Sequence, residues 1–122
     1  MSQNIETVNT YLEGFRKNDH EQILSCLTDD IKWTVFGAFH LTGKEAYDKA
    51  IDGAPEFIDP PELNVVRMVE QGNVVMAELT GMAKRAVGGD LRMSMAEVFV
   101  MRDGRIAERR AWVTVLREND YR

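Results

Sequence analysis

The chain has 122 residues, 44% of them hydrophobic and 29% charged, with a formal net charge of −5. These values suit a single domain, 1–122, with one continuous core. No stretch approaches the roughly 18 uninterrupted apolar residues of a membrane span, and the acidic balance argues against a nucleic-acid binder, which needs a concentrated basic face. Nine of the fifteen basic residues fall after Met82, among them Arg105, Arg109 and Arg110, and this reads as charge pairing between helices and sheet, with a basic interaction face as the lesser alternative.

The opening Met1-Ser2-Gln3-Asn4 lacks the basic and apolar regions of a signal peptide, and Cys26, the one cysteine, has no internal disulfide partner. Both predict a soluble protein of the reducing cytoplasm.

Ser2 is placed to cap a first helix whose Ile5, Val8, Leu12 and Phe15 step by three and four, with Tyr11 on an adjoining stripe. Asn18-Asp19 interrupts it, and Asp19 with Gln22 resembles a capping box for a short second helix carrying Ile23, Leu24 and Leu27. Asp29-Asp30 is expected to end that unit. Ile31, Trp33 and Val35 then alternate with Lys32 and Thr34, the pattern of a half-buried strand. Gly37 breaks the strand, leaving Phe36-Gly37-Ala38-Phe39 and His40 in a loop. Thr42 with Glu45 suggests the start of a third helix from about Lys44 to Asp52, closed by Gly53 and Pro55.

Pro60-Pro61 resets the chain to an extended conformation. Leu63 to Glu70, Val74 to Val87, Leu91 to Met101 and Ile106 to Leu116 read as an antiparallel meander joined at Gln71-Gly72-Asn73, Gly88-Gly89 and Arg102-Asp103-Gly104. The fold class predicted is α+β, with three N-terminal helices packed on a curved, mostly antiparallel sheet.

A three-residue turn at Arg102-Asp103-Gly104 pairs Met101 with Arg105, and so sets Phe99 opposite Ala107, Glu97 opposite Arg109, Met95 opposite Ala111 and Met93 opposite Val113. One face then gathers Met93, Met95, Glu97, Phe99, Met101, Arg109, Ala111 and Val113, apolar except for one acid and one base. This is assigned to the concave side. The other gathers Ser94, Ala96, Val98, Val100, Arg110, Trp112, Thr114 and Leu116, too apolar to face water comfortably, and a partner subunit is expected to cover it. A two-residue turn at Gly88-Gly89 would put Thr80 opposite Glu97, so a bulge at Gly81 is inferred that brings Leu79 there instead.

The order helix, helix, strand, helix and four meandering strands, with Tyr11-Leu12-Glu13-Gly14-Phe15, Leu27-Thr28-Asp29-Asp30-Ile31-Lys32-Trp33, Leu41-Thr42-Gly43-Lys44-Glu45-Ala46 and Val100-Met101-Arg102-Asp103-Gly104-Arg105-Ile106, resembles the nuclear transport factor 2-like superfamily. Within it the chain is similar to the ketosteroid isomerase and SnoaL-like branch. The resemblance implies a cone-shaped fold, a pocket between helices and bent sheet, and a homodimer through the sheet, here the face with Val98 and Trp112. It sets Tyr11 at an oxyanion-hole tyrosine and Glu97 at the acid that partners it. It also sets Val35, which cannot accept a proton, at the isomerase's general base. The acid and base triad of limonene epoxide hydrolases would fall on Leu79, Gly81 and Ala111, which lack that chemistry.

The candidate catalytic residues are therefore Glu97 and Tyr11 as donors, with His40 as a replacement base at the pocket mouth. Glu97 has two readings: a cross-strand ion pair with Arg109, or a neutral acid facing a ligand. Trp33, Val35, Leu79, Met93, Met95, Phe99, Arg109, Ala111 and Val113 are the expected lining for a small hydrophobic molecule. Two histidines and one cysteine at unrelated spacings form no metal site, no glycine-rich phosphate loop is present, and no cofactor is implied. Two functions stand open: an enzyme acting on a small hydrophobic compound, with carbonyl-bearing ones among the candidates, and a non-catalytic ligand-binding or interaction module.

Overall fold

In the computed structural model, which describes residues 2–52, 62–84, 87 and 89–117, three helices pack on one face of a six-stranded sheet. The elements are α1 (Gln3–Lys17), α2 (His20–Ser25), β1 (Leu27–Val35), β2 (Phe39–Thr42), α3 (Lys44–Ile51), β3 (Glu62–Gln71), β4 (Val74–Lys84), β5 (Asp90–Arg102) and β6 (Arg105–Leu116). The strand order is β2-β1-β6-β5-β4-β3. Among the described residues only the β1–β6 pairing is parallel; the other four are antiparallel. The fold is α+β.

Local chemistry sets the helix ends. The Ser2 hydroxyl accepts from the Ile5 amide, and Asn18 closes α1 in the left-handed region, φ 53°, its amide donating to Gly14 and Phe15 carbonyls. The Asp19 carboxylate accepts from the Gln22 amide. The Gln22 side chain donates to the Thr10 carbonyl, so it ties α2 to α1. Gly14 is required by that contact: a Cβ there would lie 2.8 Å from Ile23 Cγ1 and 3.2 Å from the Ile23 amide nitrogen.

Several boundaries differ from the sequence reading. Leu27 opens β1 instead of closing α2, and Asp29-Asp30 lies within the strand. Pairing holds it there: Leu27 stands beside Ile106, and the Ile106 amide donates to the Cys26 carbonyl. Asp30 accepts from Arg102 and from Thr28. Gly43, at φ 94°, is the N-cap of α3 without any side-chain cap, while Thr42 ends β2. The expected closure at Gly53 and Pro55, the Pro60-Pro61 reset and Gly88 lie outside the described residues.

Two corrections concern register. The β5–β6 turn has two residues, not three: Asp103 and Gly104 both have positive φ, 54° and 77°, and Arg102 pairs with Arg105. That is the backbone of a type I′ hairpin. A bulge at Ala107 then adds a second one-residue shift, so Glu97 faces Ala111, Phe99 faces Arg109, Met95 faces Val113 and Met93 faces Val115. Two single-residue shifts sum to an even number, which preserves the face of every side chain from Glu108 onward, while Ile106, before the bulge, turns inward opposite Met101. Between β4 and β5 the register is unbroken, from Val74↔Val100 to Lys84↔Asp90, with Ala77 opposite Glu97 and Leu79 opposite Met95. Gly81 is therefore no bulge. It leaves room for methionines, since a Cβ there would lie 2.7 Å from Met95 Cε and 3.3 Å from Met93 Cε.

Alternation along β4 is complete, with Val75, Ala77, Leu79, Gly81 and Ala83 all buried and Met76, Glu78 and Thr80 exposed. The buried face continues through Met95, Phe99 and Met101 of β5, Ala111 of β6 and Ile31 and Trp33 of β1. Val8, Tyr11 and Leu12 of α1, Ile23 of α2, and Tyr47 and Ile51 of α3 complete the core above it.

Candidate functional site

The polar centre of this core is Arg109 of β6. Its Nε donates to Glu97 Oε1 at 2.7 Å and its Nη2 to Glu97 Oε2 at 2.9 Å, a bidentate pair. Its Nη1 donates to the Tyr11 hydroxyl at 2.5 Å and to the Tyr47 hydroxyl at 3.2 Å. The two phenols also hydrogen-bond each other. Four elements supply the cluster: α1 through Tyr11, α3 through Tyr47, β5 through Glu97 and β6 through Arg109. Of the two readings of Glu97, the structure has the ion pair, with both carboxyl oxygens accepting from Arg109.

Aromatic rings enclose the guanidinium. Its Cζ lies 4.4 Å from the Trp33 ring centroid, 5.4 Å from Phe15 and 5.5 Å from Tyr11. Trp33 stacks on Tyr47 at 4.6 Å and meets Phe39 edge-on at 5.0 Å, and Tyr11 meets Phe99 edge-on at 5.7 Å.

This burial governs the protonation states. Desolvation pushes the Tyr11 phenol well above its ordinary range, against the opposing pull of Arg109, and it pushes Tyr47 upward too. For Arg109 burial alone favours the neutral form, but the charge of Glu97 and the two phenols outweigh it, so the guanidinium is held more firmly protonated than an exposed arginine. Cys26 is buried on the helical side, and desolvation raises its thiol. That is opposite to what a nucleophile needs.

Hydrogen-bond accounting leaves donors over. Of the two hydroxyl hydrogens, one is donated from phenol to phenol, and the other has no acceptor among the described residues. The Trp33 indole nitrogen is buried with no hydrogen-bond partner among the described residues.

The other expected lining residues are placed unevenly. Leu79, Phe99 and Ala111 are fully buried, Met95 is nearly so, and Val35 and Met93 are partly buried against the core. Val113 departs from expectation: it shares the inner face with Ala111 but is 38% exposed, and Val115 beyond it is 53% exposed. His40 is the clearest correction. It lies in strand β2, not a loop, and opposite Thr34, whose hydroxyl meets its Nδ1 at 2.7 Å. Thr34 alternates with the inward Trp33 and Val35 and pairs with Arg110, so His40 is on the outer face and does not reach the Tyr11–Arg109 cluster.

Tyr47 was missed by the sequence reading. Its signal was present, since Tyr47 and Ile51 are four apart on the helix that follows Gly43 and mark its inward stripe. Among the described residues no group of three or more His, Cys, Asp or Glu is arranged to hold a metal ion. No helix among them is long and apolar enough to cross a membrane.

Residues 8–109, most of the chain, match the model of the SnoaL-like domain. The chain belongs to the SnoaL-like domain family. Solved structures place this SnoaL-like domain within the nuclear transport factor 2-like and ketosteroid isomerase-like fold. It is similar to an NTF2-like protein of unknown function from Burkholderia pseudomallei, with a TM-score of 0.83, 21% identity and 91% of this chain and 90% of that one covered. It is similar to a putative ketosteroid isomerase from Kribbella flavida, with a TM-score of 0.78, 14% identity and coverages of 98% and 83%. It is also similar to TerC co-crystallized with polyporic acid, with a TM-score of 0.81, 24% identity and 90% of each chain covered. At these identities the likeness is one of fold. Among curated proteins none matches the chain.

Proposed function

We propose that this SnoaL-like domain takes up a small hydrophobic, carbonyl-bearing compound in an apolar pocket beside the Tyr11–Tyr47–Arg109–Glu97 cluster, and acts on it as an isomerase, cyclase or lyase. The observation that carries the reading is the unspent phenol hydrogen of the Tyr11–Tyr47 pair, fixed against a buried guanidinium among aromatic rings. A donor so placed stabilises negative charge growing on a carbonyl oxygen. In this reading Tyr11 touches the ligand, Arg109 orients both phenols, and Glu97 is a positioning residue that acts through Arg109. TerC, of the same fold, was co-crystallized with polyporic acid, which supports a ligand that is flat and rich in oxygen acceptors.

A second reading, a non-catalytic binding module, is supported by Val35 at the position of the isomerase base and by His40 on the outer face. A thermal-shift screen of aryl ketones, steroid enones and hydroxyquinones, with chromatography of each stabilising mixture, separates the two. Stabilisation with product formation supports the enzyme, and stabilisation without it the module; no stabilisation by any compound contradicts both. For an enzyme, Glu97→Gln is expected to cut turnover sharply when assayed at a temperature where circular dichroism shows the variant folded.

The reading includes a homodimer through the outer sheet face. In its support, Trp112 is 43% exposed and stacked on Phe36, with Met76 and Val69 also exposed. A reducing, cytoplasmic setting suits the single buried cysteine.

A further inference from the structure

We propose that the Trp33 indole N–H is a ligand-binding donor, and that it selects compounds whose flat apolar body carries an acceptor-only oxygen group, a carboxylate or carbonyl, over those that carry an amine. This rests on the pocket reading above and narrows its ligand class.

The indole nitrogen is the one buried side-chain polar atom without a partner among the described residues. Trp33 is 7% exposed, so bulk water does not satisfy it. Native proteins rarely leave such a donor unpaired, so an exception calls for an explanation, and a bound acceptor supplies one. The indole belongs to the same cluster as the charged groups, with the guanidinium carbon 4.4 Å and the Tyr47 ring 4.6 Å from its ring centroid. There the balance is one-sided. Trp33 offers an N–H and the Tyr11–Tyr47 pair an O–H that meet no acceptor among the described residues, the Glu97 carboxylate being turned to Arg109 with both oxygens. A group that brings lone pairs completes these bonds. An ammonium group brings more hydrogens and a charge that Arg109 repels.

The test is titration with 2-naphthoate, naphthalene and 2-naphthylmethylammonium, read by calorimetry and by the indole N–H signals in a proton–nitrogen NMR spectrum. The chain has two tryptophans, so the signal absent from Trp33→Phe is that of Trp33; if that variant fails to fold, the signal that persists in Trp112→Phe identifies it. The proposal expects naphthoate to bind about 10-fold or more tighter than the ammonium compound and to move the Trp33 signal downfield, and Trp33→Phe to weaken naphthoate by about 5–20-fold. Naphthalene affinity should change by less than about 2-fold in Trp33→Phe, because no hydrogen bond is lost. Binding of naphthoate and naphthalene with an unmoved Trp33 signal overturns this inference and leaves the pocket standing. Binding of none of the three overturns the pocket reading and this inference with it.

Discussion

Arg109 reaches Glu97 on the diagonal, not from directly across: Phe99 stands opposite Arg109 and Ala111 opposite Glu97, yet the guanidinium binds both carboxyl oxygens. The diagonal suits a long side chain. It leaves small Ala111 beside the acid and lets Nη1 face the helices, where Tyr11 and Tyr47 meet it.

A buried pair of this kind is costly to break and cheap to replace as a unit. Arg109→Met, which strands Glu97 at 1% exposure, is expected to destabilise the fold by about 3–5 kcal/mol in urea denaturation. The double variant Glu97→Leu with Arg109→Met should recover at least about 2 kcal/mol of that loss. Additive losses in the two single variants and the double would show that the pair is not coupled.

His20 Nδ1 lies 2.5 Å from Asp48 and its Nε2 2.9 Å from Asp52, joining α2 to α3, and these carboxylates raise its pKa. A histidine with a raised folded-state pKa contributes stability that is fully present below its unfolded value of about 6.5 and is lost as pH rises through the folded value. The stability gap between wild type and His20→Ala should therefore be largest below about pH 6.5 and narrow above the raised titration point. A gap that widens with pH would contradict the bridge.

Gly14→Ala tests the α1–α2 contact. Alanine favours an isolated helix, but its Cβ would meet Ile23 at 2.8 Å. The expected outcome is a loss of about 1–3 kcal/mol despite the better propensity, and a stabilised variant would show that α2 has room to move away.

Trp112 and Val98 lie on the outer face that the dimer reading covers. Light scattering should show a dimer at micromolar concentration and a monomer for Trp112→Glu, with little change in the helical circular dichroism signal. A monomeric wild type would remove this face from the interface.

Period-two alternation sorted Glu97 and Arg109 to the inner face and Trp112 and Val98 to the outer without any knowledge of register, because the face depends only on parity. The helix order and the Ser2 and Asp19 caps were legible for the same local reason. The turn escaped although Asp103-Gly104 is itself a type I′ signal; the rest of what escaped was non-local. Whether Arg102-Asp103-Gly104 makes a two- or three-residue turn depends on Asp103 accepting a left-handed φ, and the Ala107 bulge has no marker of its own. Strand β2 was hidden because Phe39–Thr42 is short and gains its bonds from β1. For the same reason the sequence pattern alone puts His40 in a loop. Tyr47 was passed over because nothing in its own segment tells that Arg109, sixty-two residues on, will need a second phenol.

The most direct measurement is the calorimetric affinity of one stabilising hydrophobic ketone for wild type, Tyr11→Phe and Tyr47→Phe, each with a verified fold. If the phenol pair holds the ligand oxygen, both variants should weaken binding, Tyr11→Phe by about 10-fold or more. Equal affinity in all three proteins would contradict the assignment of this cluster as the functional site.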